Sequence, residues 1–181
     1  MADESSKRRL ITDLLLCSVE LEELTAKLYE TLAEKLEGAK AIAARHIARE
    51  SWNHARTLRE ILGLLGIERV RPECERVIGE NYIKIKNILL NIKNMDPESV
   101  ADFLSNIECS LGEETYHALM LPLVKDISDE IIINIIIDEI IDEERFHGKL
   151  VKRMFGAKNS NELDEILNVQ EDTDGGEVGE E

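Results

Sequence analysis

The chain has 181 residues, and its 38 acidic residues outnumber its 22 lysines and arginines, which gives a formal charge of −16 at pH 7. This balance argues against a nucleic-acid-binding protein and against adhesion to an anionic membrane, because both ligands attract a basic surface. The length suits one domain with a sizeable core. With only three prolines, ten glycines and 4% aromatic residues, long helices are favoured over a many-stranded sheet.

Four long segments with helical periodicity follow one another along the chain, at about Lys7–Leu36, Lys40–Leu65, Asp96–Val124 and Ser128–Phe155. Glycines end the first two segments, and an Asp-Pro pair begins the third. The long connection before the third segment contains one extra helical pattern, Ile83–Ile92. We therefore predict an all-α fold, an antiparallel four-helix bundle made of two hairpins and a long crossover between helices 2 and 3.

The composition changes near the C-terminus. Residues 159–181 contain nine acidic residues and no basic one, whereas residues 1–158 carry the four helical patterns. We predict a bundle domain over residues 1–158 and an acidic, disordered tail over residues 159–181.

The cysteines and the hydropathy pattern bear on the compartment. Cys17, Cys74 and Cys109 are odd in number and lack CxxC spacing, so we expect free cysteines in a reducing cytosol. The apolar stretch near the N-terminus is broken by Asp13 and makes a poor signal peptide. Because no window reaches about 18 uncharged apolar residues, we expect a cytoplasmic protein without a membrane span.

Charged residues on the apolar stripe of an amphipathic helix are unexpected, yet both of the first two helices carry them. A step of about 100° per residue places Glu22 at the centre of the first stripe. His54 lies on the apolar face of the second helix, and Glu50 precedes it by four residues on that face. The spacing puts the two side chains on neighbouring turns.

The third and fourth helices repeat this pattern. His147 shares its face with isoleucines of the fourth helix, and Glu144 precedes it by three residues. In the third helix, Glu114 lies nearest the centre of the stripe and Glu108 lies on its shoulder, so either can be the inward acid. A lone inward Glu or His is usually a paired residue at the edge of a stripe, but here such residues recur on all four helices.

Antiparallel pairing brings these residues to similar heights in the bundle. Glu22 and His54 each lie 16 residues from Gly38 in the first turn. Several carboxylates in one core would repel each other, and a divalent or trivalent cation removes that conflict. Carboxylate and imidazole ligands together suit iron or manganese, and this arrangement is known from di-iron carboxylate bundles.

The motifs in their order resemble the ferritin-like superfamily, and most closely the rubrerythrin family, over roughly residues 10–155. The family's first-helix pair of Glu and Tyr seven residues apart is matched by Glu22 and Tyr29, and its third-helix pair by Glu108 and Tyr116. Its Glu-x-x-His of the fourth helix is matched by the stretch from Glu144 to His147. On the second helix, the His-Ala pair of the family is matched at His54.

The resemblance implies a dinuclear non-haem iron site, with manganese as the other candidate. The implied ligands are carboxylates and imidazoles, with Glu50 as a substitute and Glu114 in reserve: Glu22, Glu50, His54, Glu108, Glu114, Glu144 and His147. Tyr29 and Tyr116 would hydrogen-bond the carboxylates and so fix their orientation. Packing of these two tyrosines in the core is an equally good interpretation of the sequence.

Three departures from the family pattern affect the interpretation. Ser51 stands where the family has a bridging Glu, and Leu111 stands where it has a second carboxylate on helix 3. We therefore expect one firm metal site near Glu144 and His147 and a weaker one near His54. The chain has no paired CxxC, so we expect no rubredoxin domain.

Two functions follow as hypotheses. The resemblance implies an oxidoreductase, a peroxidase or ferroxidase, that acts on hydrogen peroxide or oxygen and takes electrons from a separate donor protein. The alternative is a ferritin-like binding or structural protein whose degenerate site holds one metal ion or none. The resemblance also implies a homo-oligomer, a dimer or larger, although no exposed patch in the sequence identifies an interface.

Overall fold

The computed structural model describes residues 4–67, 72–110, 120, 124 and 131–156, and no strand occurs among them. The α-helices are α1 (Glu4–Ala33), α2 (Gly38–Leu64), α3 (Cys74–Val77), α4 (Glu80–Asn91), α5 (Ala101–Ser110) and α6 (Ile131–Gly156). Two short 3₁₀ segments, Ile92–Asn94 and Pro97–Val100, lie between α4 and α5. The all-α prediction is confirmed, and α4 confirms the extra helix.

Each long helix packs against its neighbour in the sequence. α1 packs along α2, α5 packs along α6, and α2 also contacts α6. The apolar stripes read from the sequence form the core, which includes Leu15, Leu28, Ile47 and Ile140. Gly66 follows α2 with a φ of +64°, a conformation that favours glycine because it has no Cβ, and so it ends the helix as predicted.

The segment that connects α2 to α5 lies against α1. The hydroxyl of Tyr82 on α4 donates to Oε1 of Glu20 at 2.6 Å. Just beyond the end of α1, Nζ of Lys35 donates to the backbone oxygens of Ile92, at 2.9 Å, and Met95. The connection therefore advances along α1 in the same direction as that helix before α5 begins. At its end, the backbone N–H of Ser99 donates to Asp96 Oδ2 at 3.1 Å, so Asp96 makes the cap that the sequence predicted.

Two of the three cysteines are bonded to each other, so the prediction of free cysteines is wrong. A disulfide joins Cys17, in the middle of α1, to Cys74, the first residue of α3. Both side chains are buried. No local pattern indicates this pairing, because the two cysteines are 57 positions apart and come together only when the connection folds along α1.

Several sequence predictions concern residues outside the described ranges, and these predictions stand untested. They include Leu111, Glu114, Tyr116, the turn between helices 3 and 4, and the acidic tail. No described helix combines the length and the apolar character that crossing a lipid bilayer requires.

Candidate metal centre

Five ionisable side chains lie in the core where the helices meet. Three are glutamates, one each from α1, α5 and α6, and two are histidines from α2 and α6. None is more than 3% exposed: Glu22, His54, Glu108, Glu144 and His147. Charged residues are rarely buried so completely unless they are paired or bind a ligand, so this cluster is the candidate functional site.

The five residues form two groups of potential metal ligands. Glu22, His54 and Glu144 make one group, and Glu108, Glu144 and His147 make the other. Within each group, the ligand atoms all lie within 4.8 Å of one another. Glu144 belongs to both groups, so one carboxylate can serve two neighbouring cations. Buried Glu and His side chains in this arrangement can hold a metal ion.

The histidine rings both turn Nδ1 toward the carboxylates. Nδ1 of His54 lies 3.0 Å from Oε1 of Glu144 and 3.7 Å from Oε2 of Glu22. Nδ1 of His147 lies 3.6 Å from the same Glu144 oxygen and 3.8 Å from Oε2 of Glu108. The two ring centroids are 6.1 Å apart. Each group thus combines one imidazole nitrogen with two carboxylates.

The donor atoms fit a cation better than they fit one another. Both side-chain oxygens of Glu108 and of Glu144 are buried without a hydrogen-bond partner, as is Nδ1 of His147. Nδ1 of His54 also lacks a partner with hydrogen-bond alignment, although Glu144 lies close to it. Because an unmatched buried polar atom costs about 1–3 kcal/mol, and a charged one more, several in one place indicate a ligand that satisfies them together.

The cluster shifts the proton affinities of its members. Burial and the negative charge of Glu144 raise the pKa of Glu108 well above its ordinary value, and burial and Glu22 likewise raise the pKa of Glu144. Burial alone would lower the pKa of His54, but the carboxylates of Glu144 and Glu22 outweigh it and raise that pKa from 6.5 to about 12. Burial lowers the pKa of His147. The metal-free cluster therefore holds His54 charged and His147 neutral near pH 7.

Glu143 is a member of the site that the sequence reasoning missed. Its Oε2 lies 2.6 Å from Nε2 of His54, on the side of the ring away from the ligand groups. A carboxylate on the outer nitrogen of a ligating histidine fixes the ring orientation and the position of the proton. Glu143 lies four residues before His147, a spacing that puts it on a neighbouring turn of α6, but its side chain is 40% exposed and it was not among the expected ligands.

Glu50 and Ser51 lie near the cluster without joining either ligand group. Oε1 of Glu50 lies 3.9 Å from Nδ1 of His46, one turn earlier on α2, and that histidine is 42% exposed. Ser51 is fully buried with no partner for its hydroxyl. The structure thus leaves the expected substitute carboxylate outside both groups, each of which has three members, and the expected difference in affinity between the two sites stays a prediction.

Tyr29 packs against the acidic side of the cluster. Its side chain is completely buried, and its hydroxyl has no hydrogen-bond partner of good geometry. Burial and the neighbouring charge of Glu108 raise the pKa of Tyr29 well above 10.0, so the phenol stays neutral. The neutral hydroxyl lies beside Glu108, and the expected hydrogen bond to that carboxylate stays a prediction.

Comparisons with models of protein families, with curated proteins and with solved structures found no match for this chain.

The metal-free protein is expected to become more stable as the pH falls from about 9 to about 6.5. The folded pKa of His54 is raised, so in this window the folded state holds a proton that the unfolded state lacks. That proton contributes stability below pH 6.5, which is lost as the pH rises, by up to about 1.4 kcal/mol per pH unit. The raised carboxyl pKa values of Glu108 and Glu144 act in the same direction.

Urea unfolding in the presence of a chelator, repeated across this pH range, measures the slope. His54→Gln should flatten it, whereas His46→Gln, a change outside both ligand groups on the same helix, should leave it unchanged. Below pH 6.5, the lowered pKa of His147 opposes the trend. A wild-type protein whose stability rises with pH between 6.5 and 9 would contradict the raised pKa of His54.

Proposed function

We propose that this chain is a ferritin-like metalloprotein of the rubrerythrin type, which holds two iron ions in the core of an antiparallel four-helix bundle. Manganese is the other candidate metal. The observation that carries the proposal is the pair of buried ligand groups that share Glu144. Oxygen and imidazole donors without any thiolate suit these metals better than they suit copper(I) or a structural zinc site.

The course of the chain supports the ferritin-like arrangement. The connection between α2 and α5 contacts α1 first at Cys17 and Glu20 and finally at Lys35. A connection that runs along the C-terminal half of α1 is compatible with a long crossover between two hairpins. The order of the ligands along the helices, with one acid each from α1 and α5 and an acid plus a histidine from α6, agrees with this arrangement.

Two iron ions bound in this site would supply redox chemistry toward hydrogen peroxide or oxygen. The carboxylates of Glu22, Glu108 and Glu144 would bind the two cations and neutralise their charge. Their burial keeps bulk water out of the site. The neutral hydroxyl of Tyr29 positions Glu108. Glu143 holds the proton on Nε2 of His54, which leaves Nδ1 free to bind. Electrons for turnover would come from a separate donor protein.

The alternative function is a binding or structural protein with one metal ion or none. It is favoured by the position of Glu50, whose carboxylate contacts His46 instead of the cluster, and by the short side chain of Ser51. Together they leave Glu144 as the one residue shared by the two groups among the described residues. A site with fewer bridging carboxylates binds a second cation less firmly, and stoichiometry separates the two functions.

The deciding experiment is anaerobic titration with iron(II) and with manganese(II), followed by calorimetry and metal analysis. We expect two equivalents for the wild type and the loss of most of this binding in His147→Ala, because one ligand group then lacks its only nitrogen donor. His46→Ala is the matched control and should bind as the wild type does. Binding of one equivalent of metal would favour the alternative function, a binding or structural protein. A wild type that takes up no transition metal would overturn the proposal.

A further inference from the structure

Two buried hydroxyl groups beside the candidate metal centre lack a hydrogen-bond partner. Ser51 on α2 is fully buried and Thr25 on α1 is 1% exposed. Neither hydroxyl oxygen has a partner among the described residues. Because a buried polar group is almost always hydrogen-bonded, two such hydroxyls in one part of the core indicate a ligand that accepts from them.

Thr25 differs from the other two threonines of α1 in what its hydroxyl does. The hydroxyls of Thr12 and Thr31 donate to the backbone oxygens four residues earlier, both at 2.9 Å. This local bond is a common way for a helical threonine to satisfy its hydroxyl. Thr25 does not make it. Its hydroxyl is therefore available to a ligand in the core.

The two hydroxyls lie at one height in the bundle. Thr25 and Ser51 are each 13 residues from Gly38, where α2 begins, so the pairing of α1 with α2 sets them level. Glu22 and His54, which share a ligand group, are each three residues farther from that glycine. A spacing of three residues puts each hydroxyl about one helical turn from the neighbouring ligand, on the same side of its helix.

Contacts between α2 and α6 place Ser51 beside the second ligand group. The ring of His46 makes an edge contact with His147, and Nδ1 of His54 lies 3.0 Å from Oε1 of Glu144. These contacts show that α2 and α6 are antiparallel. Ser51 lies between the two histidines of α2, so it is level with the turn of α6 from Glu144 to His147. The ligand group on that turn contains no residue of α2, and the hydroxyl of Ser51 is what α2 offers there.

The residues of the centre do not balance the charge of two cations. The two ligand groups contain three carboxylates and two imidazoles, which together carry −3 when both histidines are neutral ligands. Two divalent cations bring a charge of +4, and two trivalent ones bring +6. The nearby carboxylate of Glu143 is 40% exposed, so water screens its charge. Positive charge therefore remains in a buried core, which is strongly unfavourable without a counter-charge.

The ligand groups also leave coordination positions open. Each group offers three donor residues, whereas iron(II) and manganese(II) with oxygen and nitrogen ligands commonly take up to about six. Water fills such positions but brings no charge. An anion with two or three oxygens brings the charge, can contact both cations and can still accept hydrogen bonds.

We propose that the loaded centre binds a small carboxylate-type anion, of the class of formate or hydrogencarbonate, held by the two cations and by the hydroxyls of Ser51 and Thr25. The anion supplies the missing negative charge, and both hydroxyls donate to its oxygens. Because the core encloses both hydroxyls, an anion of a few heavy atoms is favoured. The anion site rests on the proposed function, since three carboxylates without their cations would repel an anion.

Titration of the full-length protein with manganese(II) tests the site, with formate as the probe in a sulfonate buffer freed of carbonate. Excess formate should tighten the binding of the second manganese ion at least about tenfold, a typical coupling between two ligands. By the same reciprocity, formate should bind the manganese-loaded protein and not the metal-free protein. Nuclear magnetic relaxation of the formate proton by bound manganese measures that contact directly.

Two variants remove one hydroxyl each. Ser51→Ala and Thr25→Val should each bind formate about tenfold more weakly, because each loses a hydrogen bond to an anion. Both should keep the wild-type helix content, since the hydroxyls have no partner in the protein. Ser105→Ala is the matched control. Ser105 is a buried serine whose hydroxyl already donates to the backbone oxygen of Gly148 at 3.3 Å, so its loss should leave the response to formate unchanged.

The possible failures are distinguishable. A wild type that binds two manganese ions equally tightly with and without formate would overturn the anion site and leave the proposed metal centre intact. If Ser51→Ala and Thr25→Val respond to formate as the wild type does, the anion binds away from these hydroxyls and the site is refuted. A wild type that takes up no manganese with or without formate would overturn the proposed function, and the anion site with it.

Discussion

Glu144→Gln is expected to abolish the binding of both metal ions. Glu144 is the carboxylate common to both ligand groups, so each group is left with one carboxylate, one imidazole and a neutral amide oxygen. Even outer partners of a metal site change its affinity about 10–100-fold, so the loss of a shared ligand should weaken each site at least ~100-fold. Metal analysis after dialysis and calorimetric titration measure the loss.

Glu108→Gln provides the comparison that makes this prediction specific. Glu108 belongs to one group only, so the variant should keep the ion bound by Glu22, His54 and Glu144. It should also stabilise the metal-free protein, because it removes a buried carboxylate whose pKa is raised by burial and by Glu144. Glu139→Gln on the exposed face of α6 should bind both ions. Two tightly bound ions in Glu144→Gln would show that the site has been misplaced.

Reduction of the disulfide is expected to lower the free energy of unfolding by several kcal/mol, at about the level that chain entropy predicts. The bond between Cys17 and Cys74 closes a loop of 57 residues, for which chain entropy predicts a stabilisation of about 4 kcal/mol. For a chain of this length, that corresponds to a fall in melting temperature of about 8–16 °C. Thermal unfolding with and without a phosphine reductant measures it, and Cys17→Ala/Cys74→Ala should reproduce the reduced protein.

Two controls separate the disulfide from other effects. The double variant should not respond further to reductant, and Cys109→Ala should keep the full response of the wild type. Metal binding should survive reduction, because Glu22 is five residues beyond Cys17 and points about 140° away from it around α1. Equal melting temperatures with and without reductant would show that the bond contributes nothing.

The residues at the centre of the site could be found from the sequence because they break a local rule. Glu22, His54 and His147 lie where helical periodicity demands apolar side chains, and that anomaly needs no knowledge of tertiary contacts. For the third helix, the pattern left Glu108 and Glu114 open. The structure places Glu108 in a ligand group, while Glu114 lies outside the described residues.

Periodicity could not say where the ends of long polar side chains lie. Glu50 and Glu143 both lie four residues before an inward histidine, yet Glu50 contacts His46 and Glu143 contacts His54 across two helices. A helical wheel gives the direction of Cβ only, and a glutamate adds three rotatable bonds beyond it. The partner available on the neighbouring helix then decides which way each carboxylate turns.

The sequence by itself determined the helical class, the main helices and the inward position of Glu22, His54, Glu144 and His147, because these follow from local periodicity and from the glycines and Asp96 at helix ends. The tertiary structure alone decided that Glu144 is shared by two ligand groups, that Glu143 holds His54, and that Cys17 bonds to Cys74. Each of these contacts joins residues far apart along the chain. Their formation depends on how helices align and how the connection folds along α1, which no local pattern encodes.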